Sequence, residues 1–494
     1  MSALNIVFVA SEASPLAKTG GLADVVGSLP HALQQIGHKV SVILPFYRQH
    51  LLNNGIQSKP FAKPITMWAD GTQYHCPLHE TIIDGLHFIL VEQDELYNRE
   101  GLYGPSGGAY DDNLLRFTVF DRVALEVAAQ LASGVDILHC HDWQTGLIPL
   151  LLKTQYQHHV SLAETKTVFT IHNLAYQGTF PEEWVHRLGL PSHYFHLDGY
   201  EFHQQINCMK GGIESADAIT TVSPTYASEI MTEEYGSHLE GFLHNHADRL
   251  TGIVNGLDIE SWNPLTDVSL AAPYGIGKIT GKKQNKKALQ AMTGLHIDAK
   301  APLLTLISRL AEQKGIDLLL ANAKTWIKRG YQLAILGSGD AHSEQSLNDL
   351  AAKHPEQVYF YQGFNENLAR QIYAGGDIFL MPSRFEPCGL GQLMAMRYGT
   401  VPVVRATGGL KDTVIDYNHH PSRGTGFHFV DATAKAFDEA VEQAIAVYKT
   451  PAVWSRIRTR ALKRDSSWEA SAISYTKLYQ GLLPTKADKL GLAV

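Results

Sequence analysis

Short apolar runs alternate with amphipathic stretches from the start of the chain. Asn5-Ile-Val-Phe-Val-Ala10 is a continuous apolar run with polar borders, the pattern of a strand covered on both faces. From 21 to 36 the apolar positions are Leu22, Val25, Val26, Leu29, Leu33 and Ile36. Spacings of three and four predict a helix, and Gly37 ends it. Lys39-Val-Ser-Val-Ile-Leu44 is the next strand. Strand, helix and strand in so short a stretch make a βαβ unit, which implies a parallel sheet. Further strands are expected at 88–91, 135–139, 167–171 and 218–222.

The pattern restarts near Ile253-Val-Asn-Gly-Leu-Asp258. Residues 266–287 are rich in Gly, Pro and Lys and read as a linker. A second series follows: strand 303–307, helix 315–329, and strands 332–336, 358–361, 378–381 and 401–404. The expected fold is α/β with two Rossmann-like domains, 1–252 and 253–467. A last helix at 468–482, within 468–494, is expected to pack back on the first domain. A near-repeat joins the halves. Thr19–Val26 reads TGGLADVV, Thr407–Val414 reads TGGLKDTV, and six of eight positions agree. Each follows an expected strand and opens a helix. Two such halves facing a cleft would put both loops at strand C-terminal ends, where ligands of α/β sheets bind.

The length, 494 residues, exceeds one ordinary core and agrees with two domains. Charged residues are 18% and the formal net charge is −8, which speaks against a nucleic-acid partner. A phosphate ligand then needs a few placed cations. Cys76, Cys140, Cys208 and Cys388 form no C-x-x-C pair, which suits a reducing cytoplasm and neither a disulfide framework nor a thiolate zinc site. The first lysine is Lys18 and the run at 6–10 is too short for a signal segment. No apolar run approaches the roughly 20 residues of a membrane helix.

Lys18-Thr19-Gly20-Gly21 carries a cation beside two glycines at a helix start. Two readings stand: an anion cradle, or an ordinary turn with a solvated lysine. It is neither G-x-G-x-x-G nor a Walker loop. Ser308-Arg309 to Lys314-Gly315 sets two cations at a strand end, suited to a departing diphosphate or, alternatively, a solvated loop. Pro382-Ser-Arg-Phe-Glu386-Pro-Cys388-Gly389-Leu390-Gly-Gln392 places a carboxylate in a glycine-rich turn, where it can hold sugar hydroxyls or, alternatively, belong to a structural turn. His139 and His141 share a strand face, but no third or fourth ligand follows, so no metal site is expected. Asp142, at a strand end, reads better as a sugar contact, and His172, at another strand end, reads as a functional residue or, alternatively, a core histidine. The loop 103–113, with Tyr103 and Tyr110, either touches an acceptor sugar or is a plain surface loop.

Together these stretches give the chain its resemblance to bacterial glycogen synthases and starch synthases. They include Lys18-Thr-Gly-Gly-Leu-Ala-Asp-Val, His141-Asp-Trp, Phe169-Thr-Ile-His-Asn, Val254-Asn-Gly-Leu-Asp, Ser308-Arg-Leu, Glu386-Pro-Cys-Gly-Leu and Thr407-Gly-Gly-Leu. The resemblance implies a GT-B fold with the active site between two Rossmann-like domains. It implies glucose transfer from ADP-glucose to the non-reducing end of an α-1,4-glucan such as glycogen, with retention, and no cofactor. By the resemblance, His172, Arg309, Lys314 and Glu386 are catalytic. Lys18, Gly20, Gly21, Asp24, Asp142, Asn255, Phe364, Cys388, Gly389, Leu390, Thr407, Gly408 and Gly409 bind substrates, the Gly408-Gly409 amides as a phosphate loop. Three positions depart from the family. Met394 stands where a second acid would, Phe364 where a tyrosine is common, and Gly391 where a hydroxyl residue is common. An epimerase, a pyridoxal-phosphate glucan phosphorylase and a non-catalytic glucan-binding protein are the competing readings.

Overall fold

The computed structural model describes residues 3–105 and 108–484. Contacts divide the chain into two compact units: 1–222, 227–256 and 468–494 form one, and 223–226 with 257–467 form the other.

The first unit is built on a nine-stranded sheet. Its strands are β1 (Asn5–Val9), β2 (Lys39–Pro45), β3 (Lys59–Pro60), β4 (Leu78–Ile83), β5 (Leu86–Val91), β6 (Ile137–His141), β7 (Lys166–Ile171), β8 (Ala218–Thr221) and β9 (Leu250–Gly252). They lie in the order β9-β8-β7-β6-β1-β2-β5-β4-β3. All neighbours are parallel except β5–β4 and β4–β3. The middle of the sheet is apolar and covered on both sides, as the continuous runs imply: Phe8, Val42 and Phe88 are buried. Helix α1 (Gly21–Gln35) buries Leu22, Val25, Val26, Leu29 and Leu33, the stripe read from the sequence. Gly37 then takes φ 101°, a conformation that favours glycine. The strand expected at 135–139 runs instead from Ile137 to His141. Its start is delayed because the Asp136 carboxylate caps the Asn5 N–H at 2.7 Å before the ladder begins.

The second unit holds a six-stranded parallel sheet. Its strands are β10 (Leu303–Ile307), β11 (Gln332–Gly337), β12 (Val358–Gln362), β13 (Ile378–Met381), β14 (Val401–Arg405) and β15 (Phe427–Phe429), in the order β12-β11-β10-β13-β14-β15. The reading of 266–287 as a linker is overturned. Helix α2 (Thr280–Thr293) covers its second half, and two of its lysines are interior. Lys282 Nζ donates to Thr400 Oγ1 at 2.8 Å and to the carbonyl of Ala374 at 3.0 Å. Lys286 Nζ meets Asp377 at 2.7 Å and the Ala301 carbonyl at 2.6 Å. Carbonyls, a hydroxyl and a carboxylate supply these two lysines with what water would. After β10 a single 3₁₀ turn, Glu312–Lys314, precedes helix α3 (Ile316–Lys328). Helix α4 (Gly408–Thr413) follows β14. Helix α5 (Trp468–Leu482) belongs to the first unit, where Trp468, Ala472, Tyr475 and Tyr479 enter the core with α1 and the strands.

Candidate functional site

Neighbouring parallel strands bring their C-terminal ends together, and in the first unit β7, β6 and β1 are neighbours. His172 follows β7, Asp142 follows β6, and Glu12 lies three residues past β1. Asp142 sits at φ 57° and ψ −178°, a region nearly reserved for glycine. Its Oδ1 accepts the His172 N–H at 2.7 Å. Burial raises its carboxyl to about 7, with the Glu12 charge adding to the rise, against the backbone N–H bonds of His172 and Asn173. Burial likewise lowers His172 to about 3, so the ring is neutral near pH 7. His172 Nε2 is 3.0 Å from His141 Nδ1, and His141 Nε2 is buried with no hydrogen-bond partner among the described residues. An orphaned N–H is rarer than an orphaned acceptor, so His141 Nδ1–H donates to His172 Nε2. The remaining N–H of His172 is then on Nδ1. His139, on the same strand face as His141, bonds Thr170 Oγ1 at 2.6 Å and the Tyr479 hydroxyl at 2.8 Å. The two rings thus serve the hydrogen bonding of the core.

The glycine loop differs from the cradle reading in one respect. The N–H groups of Thr19 and Gly20 both point at Glu12 Oε2, at 2.5 and 3.2 Å. Those two amides are engaged by an internal carboxylate and are not open to an anion. Lys18 Nζ lies 2.6 Å from Asp24, and both are substantially exposed. A Cβ built on Gly20 or Gly21 meets nothing within 4 Å, so space for a ligand remains there. Thr19–Val26 also begins ten residues past β1, whereas Thr407 lies two past β14, so the near-repeat is shared at the helix start and not along the approach. Asn255 is buried, and its Oδ1 has no hydrogen-bond partner among the described residues. Of the loop 103–113, Ser106 and Gly107 lie outside the described residues.

In the second unit the adjacent strands β10, β13 and β14 deliver the other candidates. Lys314 Nζ is 2.5 Å from Glu386 Oε2, and Ser383 Oγ donates to the same oxygen at 3.0 Å. The Glu386 side chain is 8% exposed and that of Lys314 16%, so this pair is poorly screened. Two glycines make the juxtaposition possible. Gly315 has φ 65°, and a Cβ there would lie 2.1 Å from the Pro382 carbonyl oxygen. Gly408 has φ 43°, and a Cβ there would lie 2.1 Å from the Glu386 carbonyl oxygen. The Gly409 N–H is directed to the carbonyls of Glu386 and Pro387, both at 3.1 Å, so it braces the Glu386 turn. Thr407, the residue before α4, and Cys388 are both buried, and the Cys388 backbone lies against Gly409. A cavity of about 220 Å³ is lined by Arg309, Lys314, Ser383, Glu386, Gly389 and Leu390 among others. Arg309 is exposed at its edge. Gly391 packs against the Phe379 ring, which a Cβ would approach to 3.1 Å, so the missing hydroxyl there accompanies a tight contact. Phe364, after β12, is 75% exposed, an open ring face.

Sequence reasoning missed Glu12 and Ser383. Glu12 carried a faint signal, a carboxylate just past a buried strand and seven residues before Thr19. Ser383 stands three residues before Glu386 and could have been suspected from that spacing.

Residues 5–245 match the family described as starch synthase catalytic domain, and 290–460 match glycosyl transferases group 1. Glycogen synthase from Syntrophotalea carbinolica is 44% identical, covering 97% of this chain and 98% of that protein. Glycogen synthase 2 from Geobacter sulfurreducens is 45% identical, covering 98% of this chain and 100% of its own length. Among solved structures, the catalytic domain of starch synthase IV from Arabidopsis thaliana, bound to ADP and acarbose, is similar with TM-score 0.89. It is 34% identical, covering 97% of this chain and 99% of that one. Sucrose-phosphate synthase from Thermosynechococcus elongatus, 18% identical with TM-score 0.61 over 97% of this chain and 99% of its own, shares the fold.

Proposed function

The chain belongs to the glycogen and starch synthase family of glycosyltransferases, with a GT-B type fold, and on that premise we propose that it moves glucose from ADP-glucose to the non-reducing end of an α-1,4-glucan with retention. The observation that carries this reading is the Lys314–Glu386–Ser383 cluster beside Arg309 at the strand ends of the second unit. Lys314 inside a small cavity, with Arg309 exposed at its rim, suits a diphosphate whose charge grows as it leaves. Glu386, fixed by Lys314 and Ser383, presents its carboxylate to sugar hydroxyls. That a relative binds ADP and acarbose supports a nucleoside diphosphate and an α-glucan as the ligands.

The chemistry follows from these groups. The bond from C1 of glucose to the phosphate oxygen breaks, and a bond from C1 to the acceptor O4 forms on the same face. The acceptor proton passes to the leaving phosphate oxygen. Arg309, Lys314 and Lys18 offset the charge that develops on ADP. His172, neutral, donates a hydrogen bond to a sugar oxygen, and Asp142 orients the sugar. Asp24 holds Lys18 in place, Asn255 offers its unpaired Oδ1, and Phe364 offers a face for adenine stacking. Cys388, Gly389 and Leu390 shape the turn against the sugar, and Thr407, Gly408 and Gly409 support that turn from behind. No nucleic acid or membrane takes part, and the reaction belongs in the cytoplasm.

Incubation with radiolabelled ADP-glucose and glycogen, with UDP-glucose in parallel, tests the reading. Label is expected in the glucan from ADP-glucose, and proton NMR of a linear maltooligosaccharide extended in the same way is expected to show α-1,4 linkages only. No incorporation from either donor, or β-anomeric product, would refute it.

A further inference from the structure

The Glu12 carboxylate is buried, 3% exposed, and belongs to no ion pair among the described residues. Hydrogen bonds alone hold it. Oε2 accepts the N–H groups of Thr19 and Gly20, and Oε1 accepts the Thr19 hydroxyl at 2.6 Å and the Tyr103 hydroxyl at 2.5 Å. Because Tyr103 gives its proton to Glu12, Ser11 Oγ donates to Tyr103 at 2.8 Å. Tyr103 in turn anchors its own segment: its carbonyl accepts the Tyr110 N–H at 2.9 Å and Asn113 Nδ2 at 2.8 Å. The loop's other tie is Lys18 Nζ to Asp24 at 2.6 Å, between partly exposed side chains, and a Cβ built on Gly20 or Gly21 would meet nothing within 4 Å.

We propose that Glu12 is a positioning residue that ties the 18–21 loop to the Tyr103 loop, so that the two keep one arrangement or loosen together. The proposal rests on the transferase reading in taking Lys18 as a donor-side group and the Tyr103 loop as an acceptor-side one. Each bond to an ionised acceptor is strong, and a buried carboxylate that loses one donor is left under-solvated. The three remaining donors then hold a costlier charge, which is how a change at Tyr103 reaches Thr19 and Gly20 without contact.

Hydrogen exchange on the intact protein tests this directly and needs no turnover. Tyr103→Phe keeps the ring and removes the donor. It is expected to raise exchange at the Thr19 and Gly20 amides about tenfold, the size of one such bond. In kinetics it is expected to raise the donor KM with kcat little changed. Glu12→Ala is expected to lower kcat/KM for the donor about tenfold or more. Glu12→Gln is expected to recover most of that, since its oxygen can take both N–H groups while the hydroxyls reverse to accept its amide. The double variant of Glu12→Ala with Tyr103→Phe is expected to equal Glu12→Ala alone. Should Glu12→Ala fail to fold, the exchange result for Tyr103→Phe decides. Wild-type exchange at Thr19 and Gly20 in that variant would overturn the proposal, as would fully additive kinetic effects in a folded double variant. Absent transfer by the wild type would refute the transferase reading and leave the exchange result to judge the link.

Discussion

Asp142 combines a backbone conformation that disfavours any side chain with a carboxyl kept from water, although the residue as a whole is not fully buried. Both cost stability, and both belong to a residue directly after a strand end. The second cost depends on pH. Below about 4 the carboxyl holds its proton in folded and unfolded chains alike. Between there and about 7 the unfolded chain releases the proton while the folded one keeps it, so stability falls as pH rises through that window. Asp142→Asn removes this slope and keeps an oxygen for the His172 N–H. Relative to the wild type, the variant is expected to gain more stability at pH 8 than at pH 4. The gain has an upper bound of about 4 kcal/mol, at about 1.4 kcal/mol per pH unit of displacement. Denaturant melts at the two pH values measure it, and parallel behaviour of the two proteins would contradict a desolvated Asp142.

At the scale of elements, legibility followed the chemistry of the side chains. Strands 303–307 and 378–381 are legible to their true ends, because Leu-Leu-Thr-Leu-Ile is bounded by Pro302 and Ser308 and Ile-Phe-Leu-Met by Asp377 and Pro382. The helix at 468–482 was equally plain. Helix α2 was not, because Lys282, Lys283, Lys286 and Lys287 look like a solvated stretch when their partners are unknown. The partners of Lys282 and Lys286 are carbonyls, hydroxyls and a carboxylate 13 to 162 residues away in sequence, which no local pattern reveals, while Lys283 and Lys287 are exposed. The candidate site divides in the same way. Glu386 and Lys314 stood out by position beside glycines, whereas Glu12 gained its meaning only when Thr19, Gly20 and Tyr103 came to it in space. The buried pair in α2 makes a prediction of its own. Lys286→Met leaves Asp377 with the Leu303 N–H and the Tyr448 hydroxyl but without its ion-pair partner, and is expected to cost about 3–5 kcal/mol. Replacing Asp377 by Asn as well is expected to return part of it. Calorimetry of the single and double variants checks both.

On the scale of the whole molecule, the first unit is discontinuous, closed by α5 after the second unit is complete. Tyr479 satisfies His139, and Thr476 lies 3.0 Å from His38 Nε2, so α5 brings polar partners as well as apolar surface. A chain ending at Asp465 is expected to expose the face of α1 and β1 that α5 covers and leave His38 and His139 short of bonds. Limited proteolysis is expected to digest residues 1–256 while a fragment near 257–465 survives. Equal resistance of both halves would show that α5 is dispensable.

The discontinuity also has a consequence in time. A ribosome extrudes the chain from the N-terminus, so the nine-stranded sheet emerges well before the helix that finishes its core. The later segment, 257–467, has all its strands in hand before α5 leaves the exit tunnel. During synthesis, therefore, the half made second is the first able to reach its final form, and the half made first must wait with part of its apolar surface uncovered.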